Sequence, residues 1–209
     1  LNDSGKAGPG GRRAGNLALR NLRNDGVEPC AIAACMTGIG PDDGQPVPLD
    51  KLAKRFELAD LAVSHFDVTR MLAMNRSVLR DMDFAAVADR LPGGATEAFW
   101  LAVRDSLDLL KEARGWWDVV AGTIVPPVVD GARDLLTAAG SLLPPEPWDN
   151  GVWATWIAAL ERATERTGDA LITPLRLALT GEDTGPDLAD LLPLIGRPRA
   201  ASRLAIAAA

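Results

Sequence analysis

Few residues in this chain could do chemistry, and their spacing assembles no catalytic device. His65 is the sole histidine. A Ser-His-Asp or Cys-His arrangement would have to use it, as would any histidine-containing zinc site. It stands beside Phe66 in a stretch that reads as a loop, with no nucleophile motif around it. Cys30 and Cys35 are the two cysteines, too few for a disulfide framework or a four-thiolate metal site. On a helix, at about 100° per residue, side chains five apart point away from one another, so both read as small core residues. Gly8, Gly10 and Gly11 match neither G-x-x-x-x-G-K-[ST] nor G-x-G-x-x-G in a strand–turn–helix context, so they predict no phosphate cradle. Trp100, Trp116, Trp117, Trp148, Trp153 and Trp156 could stack on unpaired bases. They fall on apolar stripes, however, and read first as packing anchors. No cofactor and no metal are expected.

The elements that would position these residues are helices. Residues 1–15 are Gly-rich and read as a lead-in. Asn16 can cap a short helix through Leu17, Leu19 and Leu22, which ends near Asp25-Gly26. Pro29 suits the first turn of a helix running to about Thr37, and a turn-rich linker follows to Pro48. Further helices are expected over Leu49–Glu57, from the cap Asp67 to about Leu79, and from Asp83 to just before Pro92-Gly93-Gly94. Thr96 should cap the longest regular stretch, to about Ala113, with the stripe Phe99, Val103, Leu107 and Leu110. After Pro144-Pro145-Glu146-Pro147, Asn150 can cap a helix carrying Trp153, Trp156, Ile157 and Leu160. Helices near Leu171–Leu179, Asp187–Leu194 and Pro198–Ala208 complete the chain. No stretch alternates with period two, and Val119–Val129, β-branched enough for one short strand, is broken by Pro126 and Pro127. The predicted class is all-α, in consecutive helical pieces.

With 209 residues, 47% apolar and 24% charged, the composition is that of a globular protein and excludes a disordered tail, a coiled-coil rod or a collagen-like repeat. No apolar run approaches the roughly 20 residues of a membrane-spanning helix, and no secretory signal is legible, so a cytoplasmic protein is expected. The net charge of −6 is uneven: residues 1–90 hold 12 Lys/Arg and 12 Asp/Glu, whereas residues 91–209 hold 10 and 16. The overall basic balance usual in nucleic-acid binders is absent, although a local basic face can exist on an acidic protein.

Several phrases nevertheless carry a resemblance. Ile172-Thr-Pro-Leu-Arg-Leu-Ala-Leu-Thr-Gly181, then Gly185-Pro-Asp-Leu188 and Leu191-Leu-Pro-Leu-Ile-Gly196, resembles the C-terminal signature of bacterial glutamyl-tRNA synthetases. Asn16-Leu-Ala-Leu-Arg-Asn-Leu-Arg23 with Asp25-Gly-Val-Glu-Pro29 is similar to the segment after that family's last catalytic loop. Phe56-Glu-Leu58, Phe66-Asp67 and Met74-Asn-Arg76 follow its stem-contact region in order. The resemblance implies a stem-contact-like domain over residues 1–92 and two anticodon-binding-like helical subdomains over 93–143 and 144–209. It also implies tRNA contacts at Arg176, Thr180, Gly185, Pro186 and Leu188, with Arg104 a further candidate.

The departures matter as much. The family's nucleotide-binding domain, with its HIGH-type motif, would lie before residue 1. Its K-[ML]-S-K-R loop, whose lysines offset charge on reacting phosphates, falls at Pro9-Gly10-Gly11-Arg12-Arg13, where only Arg12 and Arg13 are basic. A basic R-K-G-K run becomes Arg166-Thr167-Gly168-Asp169. These features predict a truncated, degenerate synthetase-like paralogue whose 209 residues hold no catalytic residues and bind tRNA weakly. Two alternatives stay open. One is a protein-interaction subunit that has given up tRNA, and the other is a fragment of an ATP-dependent aminoacyl-tRNA ligase.

Overall fold

The computed structural model describes residues 19–37, 49–55, 67–149 and 151–209. Arg12, Arg13, the 56–58 phrase, His65, Phe66 and the expected caps Asn16 and Asn150 lie outside these residues. Among the described residues all regular structure is helical, with no strand. Two compact units form: one of residues up to Leu91 together with Leu107–Ala113, the other of Pro92–Ser106 and Arg114–Ala209.

The first unit contains α1 (Leu19–Asn24), α2 (Pro29–Thr37), α3 (Leu49–Arg55), α4 (Val68–Asp81) and α5 (Phe84–Val87), the last continuing as a 3₁₀ turn, Ala88–Arg90. Pro29 starts α2 where a missing N–H costs nothing. Asp67 caps α4, its Oδ1 accepting from the Thr69 and Arg70 N–H groups at 2.9 and 3.1 Å. Asp83 occupies the cap position of α5 but makes no side-chain capping bond. The core joins Leu22, Val27, Ala31 and Cys35 to Met71, Leu72 and Val78. Both thiols are free, and burial pushes each of them up from the ordinary thiol range, which suits packing rather than reactivity. Gly26 has φ +83°, and a β-carbon there would lie 2.7 Å from Leu110 Cβ, so only glycine fits.

At the centre of this unit Asn75 is fully buried. Its Oδ1 accepts from the Glu28 N–H at 2.7 Å, and its Nδ2 donates to the Asp108 carbonyl at 2.6 Å. Arg76 binds the Asp108 carboxylate at 2.5 Å, and Arg90 binds Glu28 at 2.6 Å. One amide thereby ties three chain segments together.

The second unit holds α6 (Glu97–Val103), α7 (Ala113–Ala121, all but its first residue), α8 (Arg133–Ser141), α9 (Val152–Thr164), α10 (Asp169–Thr180), α11 (Leu188–Ile195) and α12 (Arg197–Ala207). α12 packs on α8, α10 and α11, while α9 packs on α8 and α11. Trp100, Trp156, Leu160, Leu171, Leu175 and Leu179 are completely buried. Trp156 Nε1 donates to the Ala139 carbonyl at 3.1 Å, and Trp148 Nε1 donates to Pro144 at 3.0 Å. Trp117 meets Phe99 edge-on with ring centroids 5.0 Å apart. These rings serve as packing anchors, Trp148 from the irregular segment between α8 and α9 and the others from helices.

The long helix expected from Thr96 to Ala113 is not formed. Thr96 does cap α6, its Oγ1 accepting from the Phe99 N–H at 3.3 Å, but the α-helix ends at Val103. Its predicted stripe divides, with Phe99 and Val103 in the second unit and Leu107 and Leu110 in the first. Leu109 is extended, and Glu112 Oε2 accepts from the Asp108 and Leu109 N–H groups at 2.9 and 3.2 Å, starting a new helical turn. Helix α9 begins after Gly151, whose N–H is bound by Asp149 Oδ1 at 2.8 Å.

Candidate functional site

Helix α10 ends where the backbone must reverse, at Gly181 with φ +77°. Thr180 precedes it, buried, with its hydroxyl donating to the Arg176 carbonyl at 2.7 Å and accepting from the Glu182 N–H at 3.1 Å. From the preceding turn Arg176 reaches across the loop, and its Nη1 donates to the Pro186 carbonyl at 2.9 Å. Asp187 then caps α11, its Oδ1 accepting from the Ala189 N–H at 2.9 Å. Leu188 is buried in the first turn. The loop between α10 and α11 is therefore pinned at both ends and across its middle.

Five of the six described candidates come together here. Thr180, Pro186 and Leu188 are buried and act as framework, whereas Gly185 is exposed and Arg176 half-buried. Partial burial lowers the Arg176 guanidinium from its ordinary range, and nearby Asp187 opposes that shift. It stays charged at any physiological pH. Arg104 lies on a different element, in the 3₁₀ turn after α6, with Nε 4.0 Å from Asp105. Acids border the loop: burial, reinforced by Asp183, raises Glu182, and burial, reinforced by Asp187 and Asp105, raises Asp190. The arrangement presents one bound guanidinium and an exposed glycine backbone within an acidic rim. That suits close reading of a small edge better than diffuse attraction of phosphates.

Two features escaped sequence reasoning. Arg203 is only 3% exposed. Its guanidinium donates to Leu179 at 2.8 Å, to Val119 at 2.6 Å and to Gly122 at 3.3 Å, joining the C-terminal ends of α7 and α10. Burial, with repulsion from Arg199, takes it down to about 10. Trp116, half-buried on α7, lies against Gly185. The altered basic run, Arg166-Thr167-Gly168-Asp169, forms the turn into α10, with Thr167 and Asp169 exposed.

Among the described residues no His, Cys, Asp and Glu group is placed to hold a metal ion, and no helix is long and apolar enough to cross a membrane. Residues 129–208, which contain this loop, match the sequence family described as an anticodon binding domain. Over nearly its whole length the chain is similar to glutamate–tRNA ligases: 48% identical over 200 residues to glutamate–tRNA ligase 2 of Gluconacetobacter diazotrophicus, and 51% over 199 residues to that of Granulibacter bethesdensis. These alignments cover 94% and 93% of the chain but 45% and 44% of the relatives, so the chain spans a little under half their length. A crystal structure of a glutamate tRNA ligase from Elizabethkingia meningosepticum shares the fold, with TM-score 0.66 at 21% identity, covering 90% of this chain and 42% of that one. The chain is similar to the C-terminal, helical part of glutamate–tRNA ligases.

Proposed function

We propose that these 209 residues form a non-catalytic tRNA-binding module that meets the anticodon end of tRNA through the α10–α11 loop. Residues 1–92 would approach the stem, and residues 93–143 and 144–209 would form two anticodon-side subdomains. The observation that carries this reading is the pinned Arg176–Pro186 loop inside the segment that matches an anticodon binding domain. Arg176 and the Gly185 backbone are the contact groups. Thr180, Pro186 and Leu188 hold them in place, and Arg104 is a peripheral contact. Glutamate activation belongs to the relatives by their names. In this chain the sequence Pro9–Arg13 lacks the lysines that such chemistry needs, so the 209 residues by themselves charge no tRNA.

Binding should be in the micromolar range or weaker at physiological salt, with a shallow dependence on salt. Few cations are offered, and each neutralised phosphate adds about −0.9 to the logarithmic slope on duplex. A gel-shift titration of the chain with total tRNA at several salt concentrations tests this. A slope as steep as about −6 would contradict the sparse-cation account. Absence of a shift even at low salt would favour the second reading, a protein-interaction subunit, which the acidic surplus of residues 91–209 supports.

A further inference from the structure

The benzo edge of the Trp116 indole, at Cη2 and Cζ2, lies so close over Gly185 that any β-carbon there would overlap the ring. Gly185 also has φ +140°, where a side chain is strained regardless of space. The following residue, Pro186, is buried and gives its carbonyl to Arg176. One short stretch of backbone is therefore held by a ring from α7 and by a guanidinium from α10. Trp117, next in sequence, is occupied otherwise, edge-on to Phe99. Trp116 is only half-buried and joins no aromatic pair among the described residues, so its ring is not committed to an aromatic cluster as that of Trp117 is.

The geometry points to Trp116 as a positioning residue for anticodon discrimination: its ring fixes the Gly185–Pro186 backbone that a base of the anticodon loop meets. This inference rests on the tRNA-binding reading above and names what sets its specificity. A glycine has no side chain to present, only its N–H and C=O groups. These discriminate base edges only when the peptide planes are fixed, and glycine otherwise ranges widely in φ. Arg176 alone fixes the Pro186 carbonyl. The ring supplies the constraint on the residue before it.

The test uses the full 209-residue chain and two probes: a glutamate-accepting tRNA transcript, and the same transcript with its anticodon bases replaced. Wild-type protein should prefer the unaltered transcript. Trp116→Ala should reduce that preference at least fivefold, while affinity for the altered transcript changes less than twofold. Trp116→Leu, which keeps apolar bulk but not the flat ring, should reduce the preference as well. A residue that served only folding would lower both affinities together and leave their ratio unchanged. In thermal denaturation, Gly185→Ala should cost less in the Trp116→Ala background than in wild type, because the overlap is relieved and only the φ strain remains. An unchanged ratio in both Trp116 variants, or a wild type that binds both transcripts equally, overturns the inference. A wild type that binds neither transcript overturns the tRNA-binding reading and this inference with it.

Discussion

Replacing Arg203 by methionine tests whether one buried guanidinium holds the second unit together. Its N–H groups serve three carbonyls, those of Leu179, Val119 and Gly122, and no carboxylate pairs with it among the described residues. Each carbonyl left unpaired costs about 1–3 kcal/mol. Against this, removing the charge relieves its desolvation: the fall from the ordinary guanidinium range to about 10 corresponds to roughly 3 kcal/mol of preference for the neutral form. Methionine fills much of the volume, so the cavity contribution stays small. The net loss should be about 3 kcal/mol, lowering the urea midpoint by about 1–2 M. The folded pKa lies below the unfolded one, so this group adds stability with rising pH only above about 10, and the loss should be constant from pH 5 to 9. All six tryptophans belong to the second unit, so their fluorescence reports its unfolding without the first. A midpoint unchanged or raised by Arg203→Met would refute the reasoning. It would show that the charge costs as much to bury as its hydrogen bonds return.

Asn75→Ala should leave the Glu28 N–H without its acceptor and remove the Asn75 donor from the Asp108 carbonyl, costing the first unit about 2–4 kcal/mol. It should appear as an earlier far-UV circular dichroism transition with tryptophan fluorescence unchanged. Thr167→Lys with Asp169→Lys adds three units of positive charge in the exposed turn before α10, and should tighten tRNA binding on the order of tenfold at low salt, fading as salt rises. The change gives up about 0.5 kcal/mol of favourable acid–helix-dipole interaction at Asp169, and a gel shift that does not strengthen contradicts the tRNA reading. Burial holds the Glu112 carboxyl above its ordinary 4.5, so the folded first unit binds more proton than the unfolded chain, and its stability falls as pH rises through the folded value. Glu112→Gln, which can still accept from the Asp108 and Leu109 N–H groups, should flatten that decline in urea titrations taken on both sides of 4.5.

Where a local signal decides structure, the sequence could be read to within a residue or two. Pro29 marks the start of α2, Asp67 caps α4, and Asp187 caps α11, the two aspartates with side-chain bonds to backbone N–H groups. The reading failed where a distant residue overrides the local pattern. Phe99, Val103, Leu107 and Leu110 have helical spacing, but the Asp108 carbonyl is taken by Asn75, and the last two leucines serve the first core. Helices α7 and α8 carry no start signal in the sequence: α8 begins at Arg133 after Ala132, which offers no side-chain cap, and α7 grows out of a 3₁₀ turn. The Ile172–Gly181 phrase pointed to the α10–α11 loop without revealing what fixes it. The Arg176–Pro186 bond is semi-local, but Trp116 meets Gly185 from far away in the chain, and such pairing leaves no periodic trace. Arg203 reads as an ordinary exposed cation on a helix of alanines, and only the ends of α7 and α10 give it partners.

The central claim is that the chain holds tRNA at the anticodon end, and hydroxyl-radical footprinting tests it most directly. A glutamate-accepting tRNA transcript would be cleaved with and without saturating 209-residue chain at low salt. The account predicts protection of the anticodon-loop nucleotides, diminished by Arg176→Ala, with weaker protection along the adjoining stem. A cleavage pattern identical with and without protein, or protection confined to the acceptor end, would contradict it.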